Sequence, residues 1–475
     1  MDLDRLELEK IYSQGYGFYW KGKGQAIKEV ENNETEYIPY YEGNLYIEGD
    51  NLVALKRLQK EYQGKIKCIY IDPPYNTNKK FLYNDKFHKT KKDSLSNGDR
   101  IHTNWLNMMY PRLRIAKDLL TDDGVIFISI DDNEINSTLN LVNELYEEKN
   151  VKVISVKMSE ASGLKMGAVK KQGTIPKLKE YIVIIRKNGI RNFKFENINK
   201  EKWDTGYNIF LENFTKEDKR KIDEINESKE VTIEKIKILD EIAKKVKLVS
   251  VSEKIKELKI INDEKENWLY SNSYRICRCS TSASVLALAN EKKEYCNSEL
   301  FFVSSKNNEI AYFVRGNYSK EFSKPRLQLI FAEDNLTQHP GDIWTDIKTT
   351  GLANEGGVPF KNGKKPIKLL TRLINSVELE KNEKNYILDF FSGSATTAQA
   401  VMELNSKDNG NRKFIMVQLP EPCDEKSEVY KAGYKNICEI GKERIRRAGA
   451  KIKSDESLPS ENREKLDTGF MVVKL

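Results

Sequence analysis

The sequence predicts an α/β protein, built on a mainly parallel sheet that is interrupted by a separately organised insert. Three observations lead there. Apolar strand-like runs alternate with helical patterns from residue 45 to about 190. The same alternation resumes at 340. Between them, 191–340 breaks it: 214–260 is dense in Lys and Glu with Ile at helical spacing, and 268–332 reads as short strands and loops. The expected divisions are an arm over 1–30, a first half of the sheet domain over 31–190, the insert over 191–340 and a second half over 341–475.

In the arm, Tyr12, Tyr16, Phe18, Tyr19 and Trp20 lie among Lys21, Lys23 and Lys28. Such a segment either packs on the body or lies along a polyanion. Leu45-Tyr46-Ile47 is a strand, and Gly49-Asp50-Asn51 is a turn that can cap the next helix. Lys67–Ile71 is a second strand. A helix over about 104–120, the strand Val125–Ile130, a helix over 132–148 and strands near 151–157 and 181–186 follow. Ile222, Ile225, Ile233, Ile236, Ile238 and Ile242 mark a helical hairpin with solvated faces. After 340, a helix begins at Pro366, Tyr386–Phe390 is a strand, 396–404 is a helix and Lys413–Gln418 is the last strand. A basic helical segment covers 427–449.

Composition excludes several classes. No apolar run reaches the roughly 18 residues of a membrane helix, and the charged start Met1–Arg5 has no signal-peptide core. A soluble, cytoplasmic protein is expected. The six Cys (68, 277, 279, 296, 423, 438) are scattered, and Cys277-Arg278-Cys279 has no second pair at zinc spacing, so free thiols are expected. With 80 Lys and Arg against 72 Asp and Glu, the net charge of +8 permits a polyanion partner. No Gly-x-x-x-x-Gly-Lys-Ser/Thr phosphate loop is present.

Two strand ends carry the chemistry. In Ile71-Asp72-Pro73-Pro74-Tyr75, two prolines force an extended exit from the sheet. Ligands of α/β folds bind at that carboxyl edge. Asp72 and the Pro73 carbonyl are acceptors there, and Tyr75 offers a flat ring. Two acceptors beside an aromatic face suit the exocyclic amine of a stacked base. In Asp389-Phe390-Phe391-Ser392-Gly393-Ser394-Ala395-Thr396-Thr397, small residues between strand and helix let a ligand approach the backbone and the helix N-terminus. By itself this turn also suits a nucleotide. Asp131-Asp132-Asn133-Glu134 reads as a helix cap, and no metal site is expected.

With these residues the chain resembles the amino-methyltransferases of DNA bases, which use S-adenosyl-L-methionine. Asp-Pro-Pro-Tyr is typical of N6-adenine enzymes. The resemblance implies that Asp72 and Pro73 hold the amine, with Pro74 and Tyr75 completing the motif, on a base flipped from the duplex. It implies cofactor contacts from Asp389, Phe391, Gly393, Ser394 and Thr396, with Ala395 in place of a usual Gly. Asp50 resembles the residue beside the cofactor adenine, and Lys365 the start of the segment closing over its methionine end. Gln418 or Glu421 would serve the ribose. Glu180-Tyr181 resembles a segment beside the target base.

The amine motif precedes the cofactor motif, the order of the circularly permuted beta class. That implies a Rossmann-like, mostly parallel seven-stranded sheet, permuted, with a target-recognition domain inserted at 191–340. Arg275, Arg278, Arg315, Lys324 and Arg326 are candidates there for reading bases or phosphates. Phe81–Asp85, Trp105–Leu113, Ser129–Glu134, Gly356–Phe360 and Val417–Glu421 resemble the modification (Mod) subunits of type III restriction-modification systems. This implies double-stranded DNA as partner, a homodimer, and a separate restriction (helicase-nuclease) subunit. The alternatives are a solitary adenine methyltransferase, a methyltransferase of another amino group (cytosine N4, RNA or protein glutamine), or a non-catalytic DNA-binding module.

Overall fold

The structure is a computed structural model, and it describes residues 3–14, 17–32, 36–77, 98–162, 165–318, 322–349, 351–360, 363–379 and 384–475. Gly15, Tyr16 and the Phe81–Asp85 motif lie outside the described residues. Two compact units are present: Met1–Glu196 with Pro340–Leu475, and Asn197–His339.

The first unit carries strands β1 (Asn44–Glu48), β2 (Ile66–Ile71), β3 (Leu120–Ile130), β4 (Val151–Lys157) and β5 (Lys179–Arg186). The second contributes β6 (Ile198–Asn199), β7 (Ile209–Glu212), β8 (Lys247–Ser250), β9 (Ile276–Thr281), β10 (Leu300–Ser304), β11 (Ala311–Arg315), β12 (Arg326–Phe331) and β13 (Thr337–Gln338). The first unit resumes with β14 (Ile343–Trp344), β15 (Asn385–Asp389), β16 (Arg412–Gln418) and β17 (Phe470–Lys474).

The sheet of the first unit runs β14-β4-β5-β3-β2-β15-β16-β1-β17. It is parallel except at β5, which is antiparallel to both β3 and β4. The expected seven strands are corrected to nine: the two-residue β14 and the five-residue β17 are added at the edges. The expectation that the strand ending at Gln418 is the last is corrected by β17, which pairs with β1 along its whole length. All five residues of β1 are buried, so its outer row of backbone N–H and C=O groups needs a partner, and β17 supplies it.

Both faces of this sheet are covered, as parallel strands require. Leu55 and Leu58 of the helix Asn51–Tyr62, Trp105 and Leu113 of Gly98–Leu119, and Leu141 pack on one face. Leu370 and Leu373 of Ile367–Asn375, Val401 of Thr396–Asp408 and Ile445 of Ile437–Lys453 pack on the other. The arm folds onto the body as helices Leu3–Gln14 and Lys23–Glu31. Trp20 is buried and its indole N–H donates to Asn107 Oδ1 at 2.7 Å. Lys23 is buried beside Glu144. Among the described residues, no helix is long and apolar enough to cross a membrane.

The second unit is a six-stranded antiparallel sheet, β10-β11-β12-β9-β7-β8. Helices Lys216–Glu227 and Ile233–Lys245 pack on it through Ile222, Leu239 and Ile242 against Phe302, Phe313 and Phe331. The helical hairpin is therefore shorter than the lysine-rich run. Lys247–Ser250 joins the sheet as an edge strand, a conformation that alternation over four residues cannot distinguish from a helix turn.

Candidate active site

Strand register brings the two motifs together. Ile69 of β2 pairs with Leu388 of β15, so Asp72 and Phe390 leave adjacent strands at the same edge. On the far side of β15, Asp389 pairs with Met416 and Glu48 of β1 with Gln418. Segments more than 300 residues apart thereby form one cavity. Asp72, Pro74, Asp389 and Phe391 line it, as do Gly393, Ser394 and Thr396 of the turn. Asp50, Lys365, Gln418 and Glu421 complete the sequence-expected lining. Pro73 is buried and Tyr75 is half-buried, and neither lines the cavity.

The turn after β15 is fixed by its own side chains. Asp389 accepts from Phe391 N at 3.0 Å and from Thr397 Oγ1 at 2.5 Å. Burial pushes its carboxyl up to about 7. Gly393 has φ of +52°, and its N–H donates to Gln418 Oε1 at 2.7 Å. Ala395 also has positive φ, at +60°, a conformation that favours glycine. Under the turn lies Arg444, wholly buried, donating to Ser394 Oγ (2.9 Å), Thr396 Oγ1 (2.7 Å) and Gln399 Oε1 (2.8 Å). The sequence places this residue in a basic helix, and only its spacing from Ile440 and Ile445 hints that it faces inward.

Asp50 caps its helix through Leu52 N (2.8 Å) and Val53 N (3.2 Å), and Arg112 Nη2 reaches its other oxygen at 3.3 Å. Arg112 Nε also donates to Asn51 Oδ1 at 2.5 Å, and Asn51 Nδ2 donates to the Phe390 carbonyl at 2.7 Å. Asn51, of the loop expected beside the cofactor adenine, lines the cavity, as do Arg112 and Phe360, to which the sequence assigned no role.

The amine motif meets an unexpected cation. Lys365 Nζ lies 3.2 Å from Asp72 Oδ1 and 2.8 Å from Glu180 Oε2, and donates to Tyr75 Oη at 2.6 Å. Tyr75 Oη in turn donates to Glu180 Oε2 at 3.1 Å. The resemblance implies Lys365 at the start of the segment closing over the methionine end; the structure sets its ammonium among two carboxylates and a phenol. Burial pushes Asp72 up to about 6, and Lys365 opposes that rise. Burial also raises Glu180, but Lys365 outweighs it and leaves that carboxyl below its ordinary value. Burial works against the charge on Lys365, yet Asp72 and Glu180 together hold it above the ordinary lysine range. The Pro74 carbonyl accepts from Trp105 Nε1 at 2.7 Å, which anchors the exit of the motif.

The remaining candidates divide. Asp131 and Asp132 pair with Lys177 and Lys179, and Glu134 meets His102 Nδ1 at 2.9 Å. Among the described residues no group of three or more His, Cys, Asp and Glu is arranged to hold a metal. All six cysteines are free thiols. In the second unit Arg275 is turned inward, hydrogen-bonded to Asn272 Oδ1 and stacked on Phe210. Arg326 and Lys324 are exposed.

Comparison with known proteins bears on the whole chain. The DNA methylase family matches residues 66–448. The type III restriction-modification enzyme EcoPI Mod subunit of Escherichia phage P1 is 30% identical, over 100% of this chain and 73% of that protein. The EcoP15I Mod subunit of Escherichia coli is 28% identical over the same shares. The type II methyltransferase M.KpnI of Klebsiella pneumoniae is 26% identical over 84% of this chain and 85% of its own length.

Proposed function

The chain belongs to the DNA methylase family, and from that premise we propose that it methylates the N6 amino group of a flipped adenine in double-stranded DNA. The observation that carries this reading is the placement of Asp72 beside the Asp389–Thr397 turn on adjacent strands. S-adenosyl-L-methionine, the methyl donor of this chemistry, supplies an electrophilic methyl on a sulfonium. The cavity suits that group. Its turn presents backbone at Gly393, where a side chain would project towards Phe360. Asp389 would offer its buried carboxylate to the amino-acid ammonium, Phe391 and Ser394 would form a wall, and Asp50 would face the cofactor adenine. Gln418 and Glu421 both line the cavity and are the candidates for the ribose hydroxyls.

Asp72 accepts one N6 proton of the base as a hydrogen bond, and the Pro73 carbonyl accepts the other. This turns the nitrogen lone pair away from both acceptors and towards the methyl. When bound, S-adenosyl-L-methionine would supply the methyl to this lone pair, and the surplus proton of the methylated amine would pass to water. An ionised Asp72 is the competent form, since a protonated carboxyl would compete as a donor. Tyr75 offers the ring on which the flipped base stacks.

The likeness to EcoPI and EcoP15I Mod supports a role as the modification subunit of a type III system, working with a separate restriction subunit. The unit Asn197–His339 is proposed as the target-recognition domain, with Arg278, Arg315, Lys324 and Arg326 as its candidate contacts. The strand order, in which β1 follows β15 and β16 across the sheet, supports the permuted reading. The test is Asp72→Ala: calorimetric affinity for S-adenosyl-L-methionine is retained, while transfer of labelled methyl into adenine-containing duplex is abolished. Retained transfer refutes the assignment.

A further inference from the structure

The connection between β4 and β5 belongs to neither half of the cavity. It leaves and returns at the carboxyl edge, where Lys157 pairs with Lys179 and Ile130 of β3 pairs with Tyr181. Its sequence is one-sided: Lys165, Lys170, Lys171, Lys177 and Lys179 lie between Glu160 and Glu180, with no Asp or Glu among them. Its neck is fastened. Met158 N and Ser159 N donate to the Leu178 carbonyl at 2.8 and 3.1 Å, and Lys177 and Lys179 pair with Asp131 and Asp132. Beyond the neck, the helix Lys165–Gln172 stops at Gly173, which has φ of +62°. Thr174 N then donates to the Val169 carbonyl at 3.1 Å.

At the tip stands Ile175, which is 94% exposed. Pro176 follows it and restricts it to an extended conformation, and its branched Cβ limits its rotamers. A stiff apolar side chain is thus held out into solvent, with exposed Lys170 and Lys171 nearby in the chain. Glu180 lies five positions further along, at most about 18 Å of extended chain. Glu180 contacts Lys365 and Tyr75 in the amine pocket.

We propose that Ile175 is the wedge that enters the base stack as the target adenine leaves it, with the flanking phosphates held by Lys170 and Lys171. The inference rests on the reading of the chain as a DNA adenine methyltransferase. Charge selects the occupant: with Lys177 and Lys179 paired to Asp131 and Asp132, the sequence beyond the neck still carries Lys165, Lys170 and Lys171 and no carboxylate, which suits a phosphate backbone. Apolar side chains inserted at a base step offset the loss of stacking, and unstacking is the main cost of extruding a base from a paired duplex.

The experiment uses the full chain and synthetic duplexes carrying the site found by sequencing DNA that the wild type has methylated. In one duplex thymine faces the target adenine; in the other an abasic position does, so extrusion is already cheap. Ile175→Ala is expected to lower kcat/KM about tenfold on the paired duplex and to stay within about twofold of wild type on the abasic one. Ile175→Leu is expected to restore both, with melting temperature and S-adenosyl-L-methionine affinity unchanged. Undiminished activity of Ile175→Ala on the paired duplex overturns the proposal. An equal loss on both duplexes also overturns it, since it assigns Ile175 to binding, of DNA or of a protein partner, and not to extrusion. A wild type that methylates no duplex refutes the methyltransferase reading itself, and the wedge falls with it.

Discussion

Replacing Lys365 with Met removes the one ammonium that Asp72 and Glu180 share, while keeping the length of the side chain. In the wild type, burial raises Asp72 to about 6 against the opposing pull of Lys365 at 3.2 Å. An opposite charge at such a distance lowers a carboxyl pKa by about 1 to 3. Its loss therefore carries Asp72 from about 6, a value that already includes the like charge of Glu180, to about 7–9. At pH about 7.5 a carboxyl of pKa about 6 is almost wholly ionised, whereas one of pKa about 8 is ionised in about a quarter of molecules. If only the carboxylate positions the amine, kcat/KM at that pH falls about fourfold from ionisation alone and recovers as pH rises. The assay is kcat/KM for methyl transfer from roughly pH 5.5 to 9.5, because this ratio reports the free enzyme's ionisations. Calorimetry checks that the cofactor still binds. Glu180→Gln removes a like charge and is expected to move the acid limb the other way, below its wild-type position. An acid limb that stays near pH about 6 in Lys365→Met, or a loss uniform across pH, refutes the electrostatic role of the lysine.

Asp389→Asn separates binding from stability. Burial raises this carboxyl from 3.8 to about 7 in the folded chain. Its contribution to stability is therefore fully present below about 3.8 and is lost as pH rises through about 7. The variant is expected to bind S-adenosyl-L-methionine at least about tenfold more weakly, yet to melt higher than wild-type apoprotein at pH about 8; an unchanged or lower melting point contradicts the burial argument. Ala395→Val places a branched side chain at positive φ inside a buried turn and is expected to cost about 2 kcal/mol or more in urea unfolding. Equal midpoints would mean the turn relaxes freely. Arg444→Met leaves the oxygens of Ser394, Thr396 and Gln399 without their buried donor. About 1–3 kcal/mol of stability is expected to be lost for each oxygen left unsatisfied, and calorimetry is expected to show weaker cofactor binding. An unperturbed affinity would remove Arg444 from the support of the turn.

Much of the sheet was legible because its strands are buried on both faces and so spell continuous apolar runs, as in Ile69–Ile71 and Tyr386–Leu388. The two strand-end motifs were legible because Pro73-Pro74 and Gly393 act on the backbone locally. What remained hidden depends on tertiary contact. β17 is a strand only because β1 offers it an edge. Lys365 is written like any lysine before a proline, and its position between Asp72 and Glu180 follows from how three separate segments converge. Arg444 reads as one more cation of a basic helix until the turn above it is seen. Arg275 read as a candidate for DNA and proves to be a packing residue on Phe210, because a guanidinium stacks on a ring as readily as it pairs with phosphate.

The central claim is that this chain moves a methyl group onto adenine N6 in DNA through Asp72. Nucleoside mass spectrometry of genomic DNA from cells expressing the wild type, beside cells expressing Asp72→Ala, tests it most directly. The account predicts N6-methyladenine with the wild type alone. N4-methylcytosine in its place, or N6-methyladenine undiminished in the Asp72→Ala cells, would contradict it.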